Sequence, residues 1–193
     1  MEDALEGRAF VDRPGNEVDD ALIAEAAKRY PEAFGELYDR YYARVYRYSY
    51  HRLGNAADAE DVTGLVFMKA LEALPSYRPG RNGFAPWLFR ITRNAVVDHY
   101  RRRKPQCDLD EVQHESSVAD PVRDVLAGER REELHGLIAR LSPEQREVVL
   151  MRYAADLSFG EIAASLKKNE AAVRMLLHRG LRRMKAELDD EQP

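Results

Sequence analysis

Basic and aromatic side chains occur together between Tyr77 and Lys104, and this combination could bind single-stranded nucleic acid. Eight basic residues fall between Arg78 and Lys104, against a single acidic residue, Asp98. Arginine side chains bind phosphates, and aromatic rings offer surfaces on which unpaired bases stack. The alternative is that this block is only the solvated face of a helix. The aromatic residues are Tyr77, Phe84, Phe89 and Trp87, the last of which we expect in the core.

A second basic stretch, from Leu137 to Lys185, has the pattern of a helix-turn-helix. It carries ten basic and five acidic residues, and the polar residues 167–169 separate two short helical patterns. A helix of this width enters the major groove of DNA, where exposed long side chains reach the base edges. The alternative is a structural three-helix bundle with a cationic face. The second helix is predicted to bury Val173, Leu176, Leu177, Leu181 and Met184 and to project Arg174, Met175, His178 and Arg179, with Arg182 and Arg183 nearby.

The residue types that catalysis or metal binding would need are scattered. The five histidines lie apart in the sequence, and Cys107 is the only cysteine, which excludes an intramolecular disulfide and a multi-cysteine zinc site. No glycine-rich phosphate-binding loop or nucleophile-elbow motif occurs. Asp58, Glu60 and Asp61 cluster at the start of a predicted helix, where the helix dipole alone explains acidic residues. We therefore expect no enzyme, no cofactor and no metal site.

Charge is sorted along the chain, although the net value of −4 would at first argue against a nucleic-acid partner. Between the two basic stretches, residues 108–129 carry seven acidic residues against one basic residue. Two basic blocks separated by an acidic one predict two polyanion-binding modules on a tether that does not itself bind. The length of 193 residues and the apolar share of 45% fit one large or two small globular domains, not a disordered chain.

No segment is typical of a membrane span or of a targeting signal. No stretch approaches the roughly 18 consecutive apolar residues that a membrane-spanning helix needs. Residues 1–20 carry seven acidic and two basic residues, which is unlike a signal or transit peptide. The single cysteine suits a reducing compartment, and we expect the protein to be cytoplasmic.

Helical periodicity predicts the elements that position the first basic block, and no strand pattern with a period of two occurs. A stripe of apolar and aromatic residues at three- and four-residue steps predicts a helix that ends at Gly54. Asn55 is the expected N-cap of the next helix, and Pro86 suits the first turn of a third. The stripe consists of Phe34, Leu37, Tyr38, Tyr41, Val45 and Tyr48.

The second basic stretch is predicted to lie on three further helices. Ser142 with Gln145, and Ser158 with Glu161, form capping boxes that begin the first two. The third begins at Glu170, after the polar turn. The second and third of these helices, with the polar turn between them, form the predicted helix-turn-helix.

We therefore predict an all-α protein with two helical domains joined by an acidic linker. The predicted boundaries are an acidic flexible tail at residues 1–19, a first domain at 20–104, a linker at 105–133 and a second domain at 134–188. A polar helix is also predicted from Pro121 to Leu141.

Three stretches together resemble the alternative sigma factors of bacterial RNA polymerase of the extracytoplasmic-function (ECF) type. The segments DAEDVT and VFMKA, within residues 58–70, resemble the acidic helix by which sigma domain two grips the largest polymerase subunit. Residues 84–102, which contain FAPWLFRITRN, resemble the helix that melts the promoter and reads the −10 element. Residues 141–179 carry LSPEQREV, SFGEIA, Val173-Arg174 and His178-Arg179, which resemble sigma domain four. The order and spacing of the stretches agree over about residues 20–185.

The resemblance implies that the protein binds core RNA polymerase and promoter DNA and directs initiation at −10 and −35 elements. The polymerase contacts would be the clamp helices of the largest subunit and the flap of the second-largest subunit. An anti-sigma factor would be a further partner, and the acidic linker would thread the polymerase cleft near the RNA path. The polymerase-binding residues that the resemblance implies are Asp58, Glu60, Asp61, Thr63, Phe67 and Lys69.

DNA-binding roles also follow from the resemblance. The loop at residues 76–84 would capture a base flipped out of the non-template strand, and stacking worth ~1–3 kcal/mol per base is large enough to offset that extrusion. The implied −10 contacts are Ser76, Tyr77, Arg78, Arg81, Asn82, Phe84, Arg90, Arg93, Asn94, Asp98, Arg101 and Arg102. The implied −35 contacts are Lys168, Arg174, Met175, His178, Arg179 and Arg182.

A rival interpretation is a stand-alone helix-turn-helix regulator whose N-terminal helices dimerise or sense a signal. It explains residues 142–185 but leaves the acidic helix and the first basic block without a role. Within the sigma-factor interpretation, Gly64 departs from the family pattern, because a polar residue is usual at that position of the polymerase-contacting helix.

Overall fold

The computed structural model describes residues 17–103 and 133–190, and helices make up its regular elements in these two ranges. The first range contains α1 (Glu17–Ala27), α2 (Phe34–Leu53), α3 (Ala56–Ala73) and α4 (Ala85–Arg103). The second range contains α5 (133–139), α6 (Pro143–Tyr153), α7 (Phe159–Leu166) and α8 (Glu170–Asp190). The predicted all-α class with two helical groups is confirmed for these ranges. Residues 1–16 of the predicted tail, nearly all of the linker and residues 121–132 of the predicted polar helix lie outside them. The last three residues of the predicted tail, 17–19, belong to α1.

The junction between α2 and α3 lies where the local sequence predicted it. Gly54 has a φ of 80°, the left-handed conformation that glycine adopts at helix C-termini, and its N–H donates to the carbonyl of Tyr50 at 2.8 Å. The side chain of Asn55 then accepts a hydrogen bond from the N–H of Asp58 at 2.8 Å, which caps α3. Both predicted helix ends are confirmed, and the short connection packs α2 beside α3.

Aromatic side chains are the largest buried residues of the first helical group. Tyr48 and Phe89 are fully buried and meet edge to face, with ring centroids 5.9 Å apart. Tyr38, which was predicted to share the buried stripe, is 40% exposed, so this prediction is wrong. It lies at the edge of the stripe and packs on Phe67 of α3, with ring centroids 4.7 Å apart. The buried face of α2 therefore includes fewer residues than the apolar and aromatic stripe in its sequence.

Capping boxes begin α6 and α7, as predicted. The hydroxyl of Ser142 accepts from the N–H of Gln145 at 3.3 Å, and the Gln145 side chain accepts from the N–H of Ser142 at 3.2 Å. Ser158 and Glu161 make the equivalent pair of bonds at 3.2 and 2.7 Å. Each box satisfies two of the N–H groups that the first turn of a helix leaves unpaired. Both predictions are confirmed.

α8 begins where it was predicted, but one of its predicted inward residues faces outward. Val173 and Leu177 are buried, whereas Leu181 is 38% exposed, so its predicted burial is wrong. The inward position belongs to the buried Gly180, where a Cβ would lie 3.3 Å from Cγ2 of Val149 in α6. α8 crosses α6 closely at this glycine, so the next residue, Leu181, lies at the edge of the contact between the two helices. The two other predicted inward residues, Leu176 and Met184, are partly buried.

The described ranges were also searched for membrane spans and metal sites. None of their helices is both long and apolar enough to cross a membrane. Among the same residues, no group of three or more histidine, cysteine or acidic side chains is arranged to hold a metal ion.

Candidate nucleic-acid and polymerase interfaces

α7 and α8 form a helix-turn-helix whose turn contains no glycine. Lys167 ends α7 in the left-handed conformation, with a φ of 54°. The side chain of Asn169 accepts from the N–H of Ala172 at 2.7 Å and so caps α8. One face of α8 packs on α6 and α7, and the other is cationic and open. All six side chains implied in −35 contacts are exposed: Lys168, Arg174, Met175, His178, Arg179 and Arg182.

Arg174 is oriented by contacts with the start of α7 and with its own helix. Its guanidinium lies 4.0 Å from the ring centroid of Phe159, and its Nη2 lies 3.4 Å from Oε2 of Glu170. Arg152 lies 4.9 Å from the same ring. A guanidinium above an aromatic ring is attracted by the negative face of the ring. Sequence reasoning missed this role of Phe159, because the contact joins two helices and leaves no local pattern.

α4 has one buried face and one cationic face. Leu88, Thr92 and Ala95 are fully buried against the other helices. Asp98 is half-buried, and its carboxylate lies 3.6 Å from Nζ of Lys69 in α3, so it pairs within the protein. The remaining predicted −10 contacts on this helix are all exposed: Arg90, Arg93, Asn94, Arg101 and Arg102.

The loop at residues 76–84 exposes its basic residues and buries its aromatic residues. Tyr77 and Phe84 are each 1% exposed, and their ring centroids lie 5.5 Å apart. Both rings also pack on Trp87, which is partly buried. With Phe89 also buried, these rings stabilise the loop from inside, and the expectation that Tyr77, Phe84 and Phe89 offer stacking surfaces is not met. Among the predicted contacts in the loop, Ser76, Arg78 and Arg81 are exposed and Asn82 is partly buried.

Lys28, the residue that follows α1, holds this loop against the rest of the domain. Its Nζ donates to the carbonyl of Tyr77 at 2.7 Å and to Oε1 of Glu25 at 2.6 Å. The Tyr77 hydroxyl is buried and has no hydrogen-bond partner among the described residues, and this burial raises the pKa of Tyr77 to about 12. Sequence reasoning missed Lys28, because 49 positions separate it from Tyr77 and no local pattern links them.

The acidic start of α3 contains both exposed and buried carboxylates. Glu60 and Asp61 are exposed. Asp58 is buried, and its Oδ2 accepts from Nδ2 of Asn55 at 2.6 Å and lies 3.4 Å from Nε2 of His99. Asp58 therefore stabilises the start of the helix, whereas Glu60 and Asp61 can reach a partner.

The other predicted polymerase contacts on α3 differ in their exposure. Thr63 is fully buried, Phe67 is 5% exposed, and Lys69 is partly exposed. Beside them, Met68 and Leu71 are 62% and 45% exposed and add an apolar part to the outer face of α3. The sequence analysis did not single out Met68 and Leu71 as exposed residues. They lie three positions apart, which is the spacing of neighbours on one face of a helix.

Two family models match the chain in the order of its two helical groups. The model for Sigma-70 region 2 matches residues 37–106, and the model for Sigma-70, region 4, matches residues 131–184. The ECF RNA polymerase sigma factor BldN of Streptomyces coelicolor is 34% identical over 189 residues, which cover 93% of this chain and 70% of BldN. The chain belongs to the ECF RNA polymerase sigma factors. We refer below to α1–α4 as region two and to α5–α8 as region four.

Two further comparisons agree with this assignment to the ECF sigma factors. The ECF RNA polymerase sigma factor SigW of Bacillus subtilis is 29% identical over 179 residues, covering 87% of this chain and 95% of SigW. The solved structure of CnrH in complex with the cytosolic domain of CnrY has a TM-score of 0.70 at 26% identity. The match covers 90% of this chain and 99% of that chain.

Membership of the ECF family defines the general role of the protein. It is an alternative sigma factor that directs transcription, and its partners are core RNA polymerase and promoter DNA. The stand-alone helix-turn-helix regulator is not favoured, because the region 2 match accounts for the helices that this interpretation left without a role.

Proposed function

We propose that the two regions of this sigma factor divide promoter recognition between them. A domain at residues 20–104 binds core polymerase and the −10 element, and a domain at residues 134–188 reads the −35 element. Residues 1–19 precede the first domain as an acidic tail, whose last three residues begin α1, and residues 105–133 are the linker. The observation that carries this proposal is the pair of exposed cationic faces on α4 and α8, each opposite a buried apolar face. They supply the positive surface that phosphates need on a chain of net charge −4.

The polymerase-binding surface is the outer face of α3. Glu60 and Asp61 provide its charge, and Met68 and Leu71 provide its exposed apolar area. These side chains contact the clamp helices of the largest subunit, and region four contacts the flap of the second-largest subunit. Three residues support this surface from inside the domain and do not touch polymerase: Asp58, Thr63 and Phe67.

The −10 element binds across α4 and the loop that precedes it. Asn94 lies beside the upstream base of the element, and Asn82 contributes to the loop that captures a flipped base. Tyr77 and Phe84 determine the shape of this loop by packing beneath it. The exposed cationic side chains that hold phosphates are Arg78, Arg81, Arg90, Arg93, Arg101 and Arg102.

The −35 element binds the exposed face of α8 in duplex form. Arginine can form a bidentate pair with guanine in the major groove, and each good pair discriminates against other bases by ~1–3 kcal/mol. Arg174 is pre-oriented by Phe159, which lowers the conformational cost of such a pair. Arg182, further along the helix, contacts phosphate.

The proposal also includes a protein that regulates the sigma factor and the place in the cell where the sigma factor acts. CnrH is a structural relative that forms a complex with the cytosolic domain of CnrY. By analogy, an anti-sigma factor holds this sigma factor inactive. The sigma factor acts in the cytoplasm, where it meets core polymerase, and it performs no catalysis of its own.

Reconstituted transcription tests the proposal. The sigma factor and core polymerase are incubated with a promoter library randomised at both the −10 and the −35 positions, and the transcribed templates are sequenced. We expect enrichment of specific bases at both elements. The controls are core polymerase alone and the sigma factor alone. Failure of the sigma factor to co-purify with core polymerase, or enrichment at neither element, would contradict the proposal.

A further inference from the structure

A cavity of about 310 Å³ opens between α1 and the loop at residues 76–84. α1 lines it with Leu22 and Glu25, and the loop lines it with Pro79, Gly80 and Arg81. Among the described residues, Glu25 is the only acidic and Arg81 the only basic side chain of this lining. Ligand pockets typically measure about 300–1,000 Å³ and combine apolar walls with a few polar groups. The cavity therefore has the size and the lining to hold one small ring system.

The two sides of the cavity are held in place by hydrogen bonds. Lys28 donates to Oε1 of Glu25 at 2.6 Å and to the carbonyl of Tyr77 at 2.7 Å, so one ammonium group links α1 to the loop. Asp20 of α1 is buried and accepts from the hydroxyl of Tyr41 in α2 at 2.5 Å, which fixes α1 against the domain. A cavity whose sides are already ordered binds a ligand without the cost of ordering them.

The loop presents bare backbone to part of this cavity. The N–H of Gly83 donates to the carbonyl of Gly80 at 3.2 Å, which closes a tight turn, and Gly83 has a φ of 72°. A Cβ at Gly80 would meet no atom within 4 Å, so the space that a side chain would take there is open. Glycine allows a ligand to approach the backbone closely. A flat base can therefore lie against this turn.

The aromatic rings of the loop cannot receive an unpaired base in this arrangement. Tyr77 and Phe84 are each 1% exposed, because they pack beneath the loop. The capture of a flipped base, proposed above for this loop, therefore needs another surface. The cavity provides one on the same loop, with α1 as its second side.

The carboxylate of Glu25 favours one class of base. An ionised carboxylate accepts hydrogen bonds and donates none, and the bond from Lys28 takes one of its roughly four acceptor positions. Cytosine and adenine carry an exocyclic amino group, whereas thymine has a carbonyl oxygen in its place, and glutamate is a typical partner of the cytosine amino group. A carboxylate in the cavity therefore attracts an amino-bearing base and repels the thymine carbonyl.

We propose that α1 and the loop at residues 76–84 together form the pocket for the flipped base of the −10 element, and that Glu25 makes this pocket selective for a base with an amino group. Arg81 holds the phosphate of the same nucleotide. The inference rests on base capture by the loop, which is part of the function proposed above. It adds a helix for which the sequence analysis predicted no contact with DNA, and a residue that selects the base.

An abasic site tests whether the cavity holds a base. Promoter templates with a single-stranded −10 element carry either a base or an abasic sugar at each position in turn, and their affinity for the holoenzyme is measured. At the captured position, the abasic sugar should weaken binding by wild type about fivefold or more, because the contacts of the base are lost.

Two substitutions that fill the cavity should remove this abasic effect. Gly80→Val places a side chain in the open space at the turn, and Leu22→Trp fills the cavity from α1, where Leu22 is 64% exposed. Both variants should bind the template with a base as weakly as the abasic one. Gly35→Val is the matched control, because Gly35 is exposed in α2, has equal room for a side chain and does not line the cavity.

Substitution of Glu25 tests the selection of the base. Templates with each of the four bases at the captured position are compared. Because a glutamine side chain donates as well as accepts, Glu25→Gln should raise the affinity for thymine relative to cytosine by about fivefold or more. Glu36→Gln is the matched control, because Glu36 is an exposed carboxylate that pairs with Arg40 and does not line the cavity.

The outcomes separate this inference from the function on which it rests. If wild-type holoenzyme shows no abasic effect at any −10 position, base capture by the loop is itself wrong. If wild type shows the effect and both filling variants keep it, the base lies elsewhere and the cavity is excluded, while base capture stands. If Glu25→Gln keeps the preference of wild type, Glu25 does not select the base. Circular dichroism and co-purification with core polymerase verify that each variant is folded and bound.

Discussion

The hydroxyl of Tyr48 in region two lies 2.5 Å from Oε1 of Glu147 in region four, although the two residues are 99 positions apart. Burial of Tyr48, together with the negative charge of Glu147, raises the pKa of the phenol well above its ordinary value of 10. The phenol therefore stays protonated at neutral pH and donates to the carboxylate. This pair links the helix that carries much of the core of region two to the first helix of the trihelical unit α6–α8.

Charge reversal on α3 tests the polymerase surface. The double variant Glu60→Lys with Asp61→Lys should bind core polymerase at least about tenfold more weakly, because two exposed carboxylates become like charges to their partner. Pull-down with core polymerase measures the affinity, and circular dichroism should show unchanged helix content. Glu32→Lys with Asp39→Lys makes the same charge change at exposed residues that are not part of α3 and should bind as wild type does. Equal binding by the α3 variant would exclude this surface.

Alanine substitutions on α8 test the placement of this helix in the major groove. Arg174→Ala or Arg179→Ala should each lower −35-dependent transcription by about tenfold or more, since one bidentate pair discriminates by ~1–3 kcal/mol. A library randomised at the −35 element should show relaxed preference at one or two positions, whereas Arg182→Ala should weaken all sequences equally and flatten the salt dependence. A −10-only template is the control. Unchanged activity and preference in both Arg174→Ala and Arg179→Ala would show that α8 does not lie in the groove.

Substitution of Asn94, on the exposed face of α4, tests the proposed role of this residue in promoter melting. Asn94→Ala should impair formation of the open complex more than binding to the closed duplex, because a contact with an unpaired base exists only after melting. Permanganate reactivity of unpaired thymines measures the open complex, and a mobility shift measures closed binding. Full permanganate reactivity in the variant would count against this role.

The buried hydroxyl of Tyr77 leads to a prediction about stability and pH. Tyr77→Phe should be as stable as wild type or more stable at pH 8, because an unpartnered buried hydroxyl costs ~1–3 kcal/mol. The pKa of Tyr77 is about 12 in the folded protein, against about 10 in an unfolded chain. Between these values the folded state binds more protons, so wild type loses stability as the pH rises. At pH 11 the advantage of Tyr77→Phe should grow by about 1 kcal/mol.

Urea unfolding at pH 8 and pH 11 measures this difference. Tyr41→Phe is the matched control, because the Tyr41 hydroxyl donates to the buried carboxylate of Asp20 at 2.5 Å. Its loss should destabilise the protein by ~1–3 kcal/mol at pH 8. A Tyr77→Phe variant that is less stable than wild type at pH 8 would show that its hydroxyl has a partner in solution.

The helix ends of this protein could be predicted because their causes are local. Gly54 adopts a left-handed conformation at little steric cost, and Asn55, Ser142 and Ser158 each bond to an N–H group three residues further along. Such bonds join neighbours in the sequence, so the residues that form them are visible as a short pattern. The exposed face of α8 could be predicted for a related reason, since a helical period separates it from Val173 and Leu177.

The burial of side chains within the candidate site could be predicted less well from the sequence than the helix ends could. Tyr77 and Phe84 have the composition of a base-stacking surface, yet both rings lie beneath the loop because Trp87 and Tyr41 offer them apolar contacts. Leu181 fits the inward stripe of α8, but the neighbouring glycine takes the inward position at the crossing with α6. A hydrophobic pattern defines a face about a third of a helix wide, and the neighbouring helix decides which part of that face is covered.

The sequence by itself determined the helical class, the helix ends that local caps mark, the two cationic faces and the resemblance to ECF sigma factors, because each depends on residues close together in the chain. Only the tertiary structure decided that Lys28 holds the loop at residues 76–84 and that Glu147 is enclosed by Tyr48, Arg52 and Arg93. Those contacts join separate helices, and a charge that reads as solvated in the sequence is buried when a distant helix supplies its donors. Their energies come from desolvation and pairing across the interface, which no local spacing encodes.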